Sequence, residues 1–155
     1  MDSKLVELIG RNWLTAELLH VGLEVATPVR DRGIDLIAYA DLGVAVDRFV
    51  ARPIQLKAAT GRSFSIGRKY EKFPGLLLAY VWGLNNLTST RCYLMSHEES
   101  LAIGDAMGWT KTASWKKGYY VSNSPSEKLI DLLAPYLATP DTWWVRVVGR
   151  PSKAR

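Results

Sequence analysis

The chain has 155 residues, 48% of them hydrophobic and 23% charged, the balance of one globular domain with its own core. A single cysteine, Cys92, excludes a disulfide framework and a thiolate zinc cluster, and only two histidines, His20 and His97, argue against a histidine-rich metal site. The net charge of +5, with a pI near 9.4, suits a polyanionic partner such as nucleic acid.

Residues 3–21 read as a helix with Leu5, Ile9, Asn12, Ala16 and Leu19 on one face and Gly22 as its C-terminal cap. LEVATP predicts a short strand ending at Pro28. GIDLIAYA predicts a second strand, closed by a turn at Asp41, Leu42 and Gly43, and RFVARPIQLKAA a third. These two form an antiparallel hairpin with a loose tip over DLGVAVD, and Pro53 marks a bulge or an edge position in the third strand. ATGRSFS reads as a polar loop and GRKYEK as a helical turn. LLLAYVW, from Leu76 to Trp82, is uniformly apolar, the pattern of a central strand covered on both faces. RCYLM is a further strand.

Ser96 and Glu99 spell a capping box that opens a helix running to about Met107, with His97 solvated just after the cap. Ser124, Pro125 and Glu127 repeat the device for a helix to Leu133 or beyond. WTKTASWKKGYYVSN between them reads as irregular or hairpin-like. The six tryptophans are assigned to the core, although those near WKKGYY are also placed to stack on bases. No run approaches the roughly 20 apolar residues of a membrane span, and MDSKLVELIG lacks the shape of a signal peptide. The expectation is a single cytoplasmic α/β domain over residues 1–148, a mixed central sheet flanked by helices, with a frayed basic tail at 149–155.

Two strands carry polar interruptions near one end. In the first it is Asp35; in the second it is Gln55 followed by Lys57, whose spacing of two puts both side chains on one face. An ion pair between Asp35 and Lys57 would satisfy their charges with no ligand. Convergence of an acid, an amide and a lysine at a strand end also suits a divalent metal beside a phosphate. The lysine would stabilise phosphate charge or help to make hydroxide from a bound water. Basic residues at Arg30 and Arg32, at Arg62, Arg68 and Lys69 with Tyr70, and at Lys116 and Lys117 offer phosphate contacts that give affinity without sequence choice.

G-I-D-L-I-A-Y followed by I-Q-L-K-A resembles the core of the PD-(D/E)xK nuclease superfamily, the restriction-endonuclease-like fold. It is similar in style to Holliday junction resolvases and to compact homing endonucleases that carry Q-x-K. The likeness spans roughly a third of the chain, from Ile9 to Ala59. It implies Asp35 as metal ligand, Gln55 as a variant second ligand, the Leu56 backbone carbonyl as a third, and Lys57 as the catalytic lysine. Mg²⁺ or Mn²⁺ is the implied cofactor, DNA the implied partner, and a homodimer the common assembly. The family's first helix usually adds a glutamate, and here its position falls near Arg11 or Asn12, neither a carboxylate. Asn12, through a metal-coordinated water, or Glu17, from a shifted position, is left to take that part.

Three functions follow from this reading: a metal-dependent endonuclease cutting DNA; a catalytically weak or inactive nucleic-acid-binding module on the same fold; and a structural or partner-binding protein in which Asp35 and Lys57 pair.

Overall fold

A computed structural model describes residues 1–40 and 47–150. The turn expected at Asp41–Gly43 and most of the 149–155 tail lie outside the described residues. The chain opens with α1 (Ser3–His20), capped by the Asp2 side chain accepting from the Lys4 amide. Gly22, at φ +86°, ends it, with Leu23 N donating back to the Leu18 carbonyl. Among the described residues seven strands follow: β1 (Glu24–Ala26), β2 (Leu36–Ala40), β3 (Val50–Ala58), β4 (Phe64–Gly67), β5 (Leu77–Trp82), β6 (Arg91–Ser96) and β7 (Tyr119–Ser122). Helices α2 (His97–Ala106), α3 (Ala113–Lys116), α4 (Glu127–Leu133) and α5 (Pro140–Val148) complete the described elements, with short 3-10 turns such as Arg68–Lys72 between them.

The fold is mixed α/β. Its main sheet runs in the order β1-β2-β3-β5-β6, antiparallel except where β3 and β5 lie parallel. A second sheet pairs β4 with β7. Pro53 sits opposite Ile37 on β2, and β5 pairs with β3 only from Ile54 onward. The proline therefore lies where β3 has a free flank, as its missing N–H requires. The outer flank of β6 is closed by a bridge from Tyr93 to Leu137 and by Ala138 N donating to the Cys92 carbonyl.

One face of the main sheet presents Leu36, Ala38, Ile54, Leu56, Ala79 and Val81 to α1 and α5. The other presents Leu78, Tyr80 and Trp82 to the β4–β7 ribbon, α2 and α4. Tyr80 Oη and Trp82 Nε1 donate to the Ser65 and Ser63 carbonyls at 2.6 Å each, fastening β4 onto β5. All six residues of β5 are buried, as the apolar run demanded.

Several expectations are corrected. The buried face of α1 is Val6, Gly10, Leu14 and Leu18, whereas Leu5, Asn12, Ala16 and Leu19 are exposed. The helix is turned by about one residue because Gly10 lets its backbone close on Ala58: an added Cβ would lie 2.9 Å from the Ala58 Cβ. Part of the expected loop ATGRSFS and of the irregular WTKTASWKKGYYVSN pair as β4 and β7, and α3 lies in the latter. The cap of α4 is Ser126, accepting from Leu129 N, not Ser124. Trp82, Trp109, Trp115, Trp143 and Trp144 are buried and Trp13 packs against the core, so no described tryptophan is free to stack on a base. His97 is buried rather than solvated.

Candidate functional site

Backbone geometry brings Asp35 to the sheet. Asp31 Oδ1 accepts from Gly33 N at 3.3 Å, an Asx turn that reverses the chain before β2. Gly33 holds φ +93°, which favours glycine, and a Cβ there would meet the Phe73 ring tightly, at 3.3 Å. Leu36 then pairs with Ile54, which sets Asp35 beside Gln55. Asp35 is 4% exposed. Its Oδ2 accepts from the Leu56 backbone N–H at 2.7 Å and from Gln55 Nε2 at 2.6 Å. Burial raises the Asp35 pKa, the Leu56 hydrogen bond opposes this, and the Asp31 charge adds to it.

Gln55 turns its NH₂, not its oxygen, toward Asp35, and the same nitrogen donates to the Leu56 carbonyl at 3.2 Å. Asp35 Oδ2 and the Leu56 carbonyl oxygen, both from residues expected to hold a metal, thus share one amide donor. Lys57, two residues on, lines the same cavity of about 320 Å³ as Asp35 and Gln55. Its Nζ stands 4.8 Å from the centre of the Tyr70 ring. Burial, then repulsion from Lys69, lowers its pKa to about 8, and Asp35 only partly offsets this. The described ion pair of Asp35 is with Arg11, at 3.5 Å to Oδ1, and not with Lys57.

Helix α1 supplies what the hairpin lacks. Glu7 and Arg11 are one turn apart and joined at 2.7 Å, and both reach over the end of the sheet. Carboxylate oxygens of Glu7, Asp31 and Asp35 lie within 4.8 Å of one another. Glu7, Asp31 and Arg11 were not singled out by the sequence reading. The D-x-G spacing at 31–33 and the i,i+4 pair at 7 and 11 are the sequence signals nearest to them, and neither by itself places a side chain in the cavity. Asn12 is exposed and does not line the cavity; neither does Glu17, whose charge is felt instead at the buried Cys92 thiol.

The basic residues divide by location. Arg68, Lys69 and Lys117 are exposed and line, with Lys57 and Tyr119, a groove of about 450 Å³ beside the acidic cavity. Arg68 N donates to the Gly118 carbonyl at 2.9 Å, which ties its two walls. Tyr119 is 58% exposed and is the aromatic of this groove that faces solvent. Arg62 lies on an adjoining concavity with Ser63, and Arg30 and Arg32 flank Asp31 in its exposed loop. Lys116 is exposed but does not line the groove. Tyr70, expected at the surface, is 3% exposed and packs in the core.

No family model, no curated protein and no solved structure matches this chain. Among the described residues, no helix is long and apolar enough to cross a membrane.

Proposed function

We propose that the protein is a cytoplasmic metal-dependent endonuclease that hydrolyses DNA phosphodiester bonds, with α1, β2 and β3 forming a PD-(D/E)xK-like core. One observation carries this reading: three carboxylates and a lysine of depressed pKa share one open cavity that adjoins a basic groove. A homodimer belongs to the same reading.

The donor set suits a hard divalent cation such as Mg²⁺ or Mn²⁺. It offers oxygens at mutual distances that one ion can span, with no imidazole or thiol lining the cavity. Asp35 would hold the ion together with Glu7 and Asp31. The ion would supply Lewis acidity at a phosphate oxygen and a more acidic water. Lys57, with a pKa of about 8, is partly neutral near neutral pH and can accept a proton from the attacking water. Asp35 is held in place by the Leu56 and Gln55 N–H groups on Oδ2, so Oδ1, which faces Arg11 at 3.5 Å, is the oxygen that would meet the ion. The groove of Arg68, Lys69 and Lys117 would carry the phosphate backbone past Lys57.

Incubation with plasmid, branched and single-stranded DNA plus Mn²⁺ tests the proposal. Cleavage is expected to need the metal, to rise with pH through about 8, and to vanish in Asp35→Asn and Lys57→Ala. Cleavage that survives Lys57→Ala, or none with any of the substrates, counts against it.

Arg11 favours a second reading. Its guanidinium faces Asp35 and holds Glu7 near where a helix-one glutamate would be expected, neutralising the cluster that a cation would need. Such a protein would bind nucleic acid without cutting it. DNA affinity that falls steeply with salt, together with an inert Mn²⁺ reaction, would support that reading.

A further inference from the structure

A second cavity, of about 380 Å³, lies where the start of α2, the 3-10 turn at 68–72, the start of β5 and the end of α5 meet. Three polar groups converge on it without partners. His97, the first residue of α2, is 6% exposed, and neither ring nitrogen has a hydrogen-bond partner among the described residues. Tyr70, 3% exposed, faces it edge-on with ring centres 6.3 Å apart, and its hydroxyl is likewise unpartnered. Burying a donor or acceptor without a partner is unfavourable, so two such groups side by side point to a polar guest in the cavity.

Arg52 is the third group. It is half-buried on the cavity wall and makes no ion pair among the described residues. A Cβ added at Gly75 would lie 3.0 Å from the Arg52 Nη1. Gly75 holds φ +76°, a conformation that disfavours a side chain there.

Arg52 brings to the cavity a positive charge with no ion-pair partner among the described residues, which favours an anion there. Arg146 lines the same cavity, and Glu99 binds it through both oxygens at 3.0 and 2.8 Å. The capping box uses the Ser96 and Glu99 amides and the Glu98 carboxylate takes up its own, which leaves the His97 amide at the positive end of the helix. The Glu98 carboxylate turns back onto its own amide and the Ser96 hydroxyl, which lowers its pKa. A carboxylate of the chain itself therefore already sits at this helix end. Glu71, the other acid on the wall, is exposed. A guanidinium from β3, a phenol O–H from the 3-10 turn, and an imidazole N–H with the helix N-terminus from α2 line it from three elements, which suits a tetrahedral oxyanion better than a planar carboxylate.

We propose that the cavity bounded by His97, Tyr70 and Arg52 binds a phosphate group, carried either by a small phosphorylated molecule or by a nucleic acid. The site is separate from the Asp35 cavity and does not depend on cleavage there. Tyr70 stands between the two, with Lys57 Nζ over its ring and His97 at its edge.

The test is the His97 ring signal in a ¹H–¹³C spectrum of the full chain, titrated at fixed pH and ionic strength. The ligands are inorganic phosphate, AMP, and a short oligonucleotide with and without a 5′-phosphate. Exposed His20 is the internal control. A saturable His97 shift, with His20 unmoved, is expected at millimolar ligand or below. Arg52→Gln should weaken it about tenfold, the weight of one charge-assisted hydrogen bond, and Tyr70→Phe should weaken it without changing the fold. Saturation by phosphate and AMP assigns a small-molecule ligand. Saturation by oligonucleotide alone assigns a nucleic-acid phosphate, terminal if the 5′-phosphate is needed and internal if it is not. His97 signals that move no more than those of His20 with any of the four ligands, or a shift unchanged in Arg52→Gln, would overturn the proposal.

Discussion

Lys57 shows how one side chain can weigh against stability and still suit the chemistry proposed for it. Its pKa falls from 10.5 to about 8 on folding, so between those values the unfolded chain binds more protons. Stability should therefore rise as pH rises from 8 toward 10.5, with the cost of burying the ammonium fully present below 8. Lys57→Met should stabilise the fold at pH 7 by about 1–2 kcal/mol and flatten that pH dependence in urea titrations. Arg11 has the opposite character. Arg11→Gln frees Glu7 and Asp35 from their guanidinium and should raise Mn²⁺ affinity several-fold, read by isothermal titration. An unchanged or lower affinity would mean that the cluster does not hold metal. Asp35, Gln55 and Lys57 were legible in the sequence because strand alternation alone puts 55 and 57 on one face, and a hairpin puts 35 beside them. Glu7, Asp31 and the NH₂-first orientation of Gln55 were not. Each depends on a helix rotation, a loop path or a hydrogen bond that no local period encodes.

At the level of elements, α1 carries the clearest lesson. Its hydrophobic pattern is diffuse, with Leu5, Leu8 and Leu19 on the exposed side. What orients it is the glycine at position 10, pressed on Ala58 and Leu84. Gly10→Val should push the helix off β3, costing about 2 kcal/mol by overpacking, and should displace Glu7 and Arg11 from Asp35. Urea denaturation measures the first effect and loss of Mn²⁺ binding the second. The β4–β7 ribbon was hidden for another reason. Its two strands are four residues each, separated by more than fifty positions, and only their pairing makes them strands. The α5 helix was passed over despite Thr139 and Pro140 at its start, because two adjacent tryptophans and a valine read as generic core rather than as a helical face.

For the molecule as a whole, the +5 charge bears on partners and not on shape. The structure gathers part of that charge into the groove of Arg68, Lys69 and Lys117 next to Lys57. If nucleic acid runs there, fluorescence anisotropy over a salt series should give a steep negative slope of log affinity against log salt. Changing the three groove residues together to glutamine should make that slope shallower by about 2 to 3, whereas Arg91→Gln, outside the groove, should leave it nearly unchanged. From the sequence by itself came the α/β class, the buried central strand, the hairpin and the Asp35–Gln55–Lys57 triad, because all of these rest on periods of two and on runs of apolar residues. The carboxylate cluster, the guanidinium that neutralises it and the pair of unpartnered rings at His97 and Tyr70 were decided only by tertiary packing. They join side chains distant in the chain, and the close approach at Gly10 and the positive φ of Gly33 and Gly75 beside them are properties of the folded backbone.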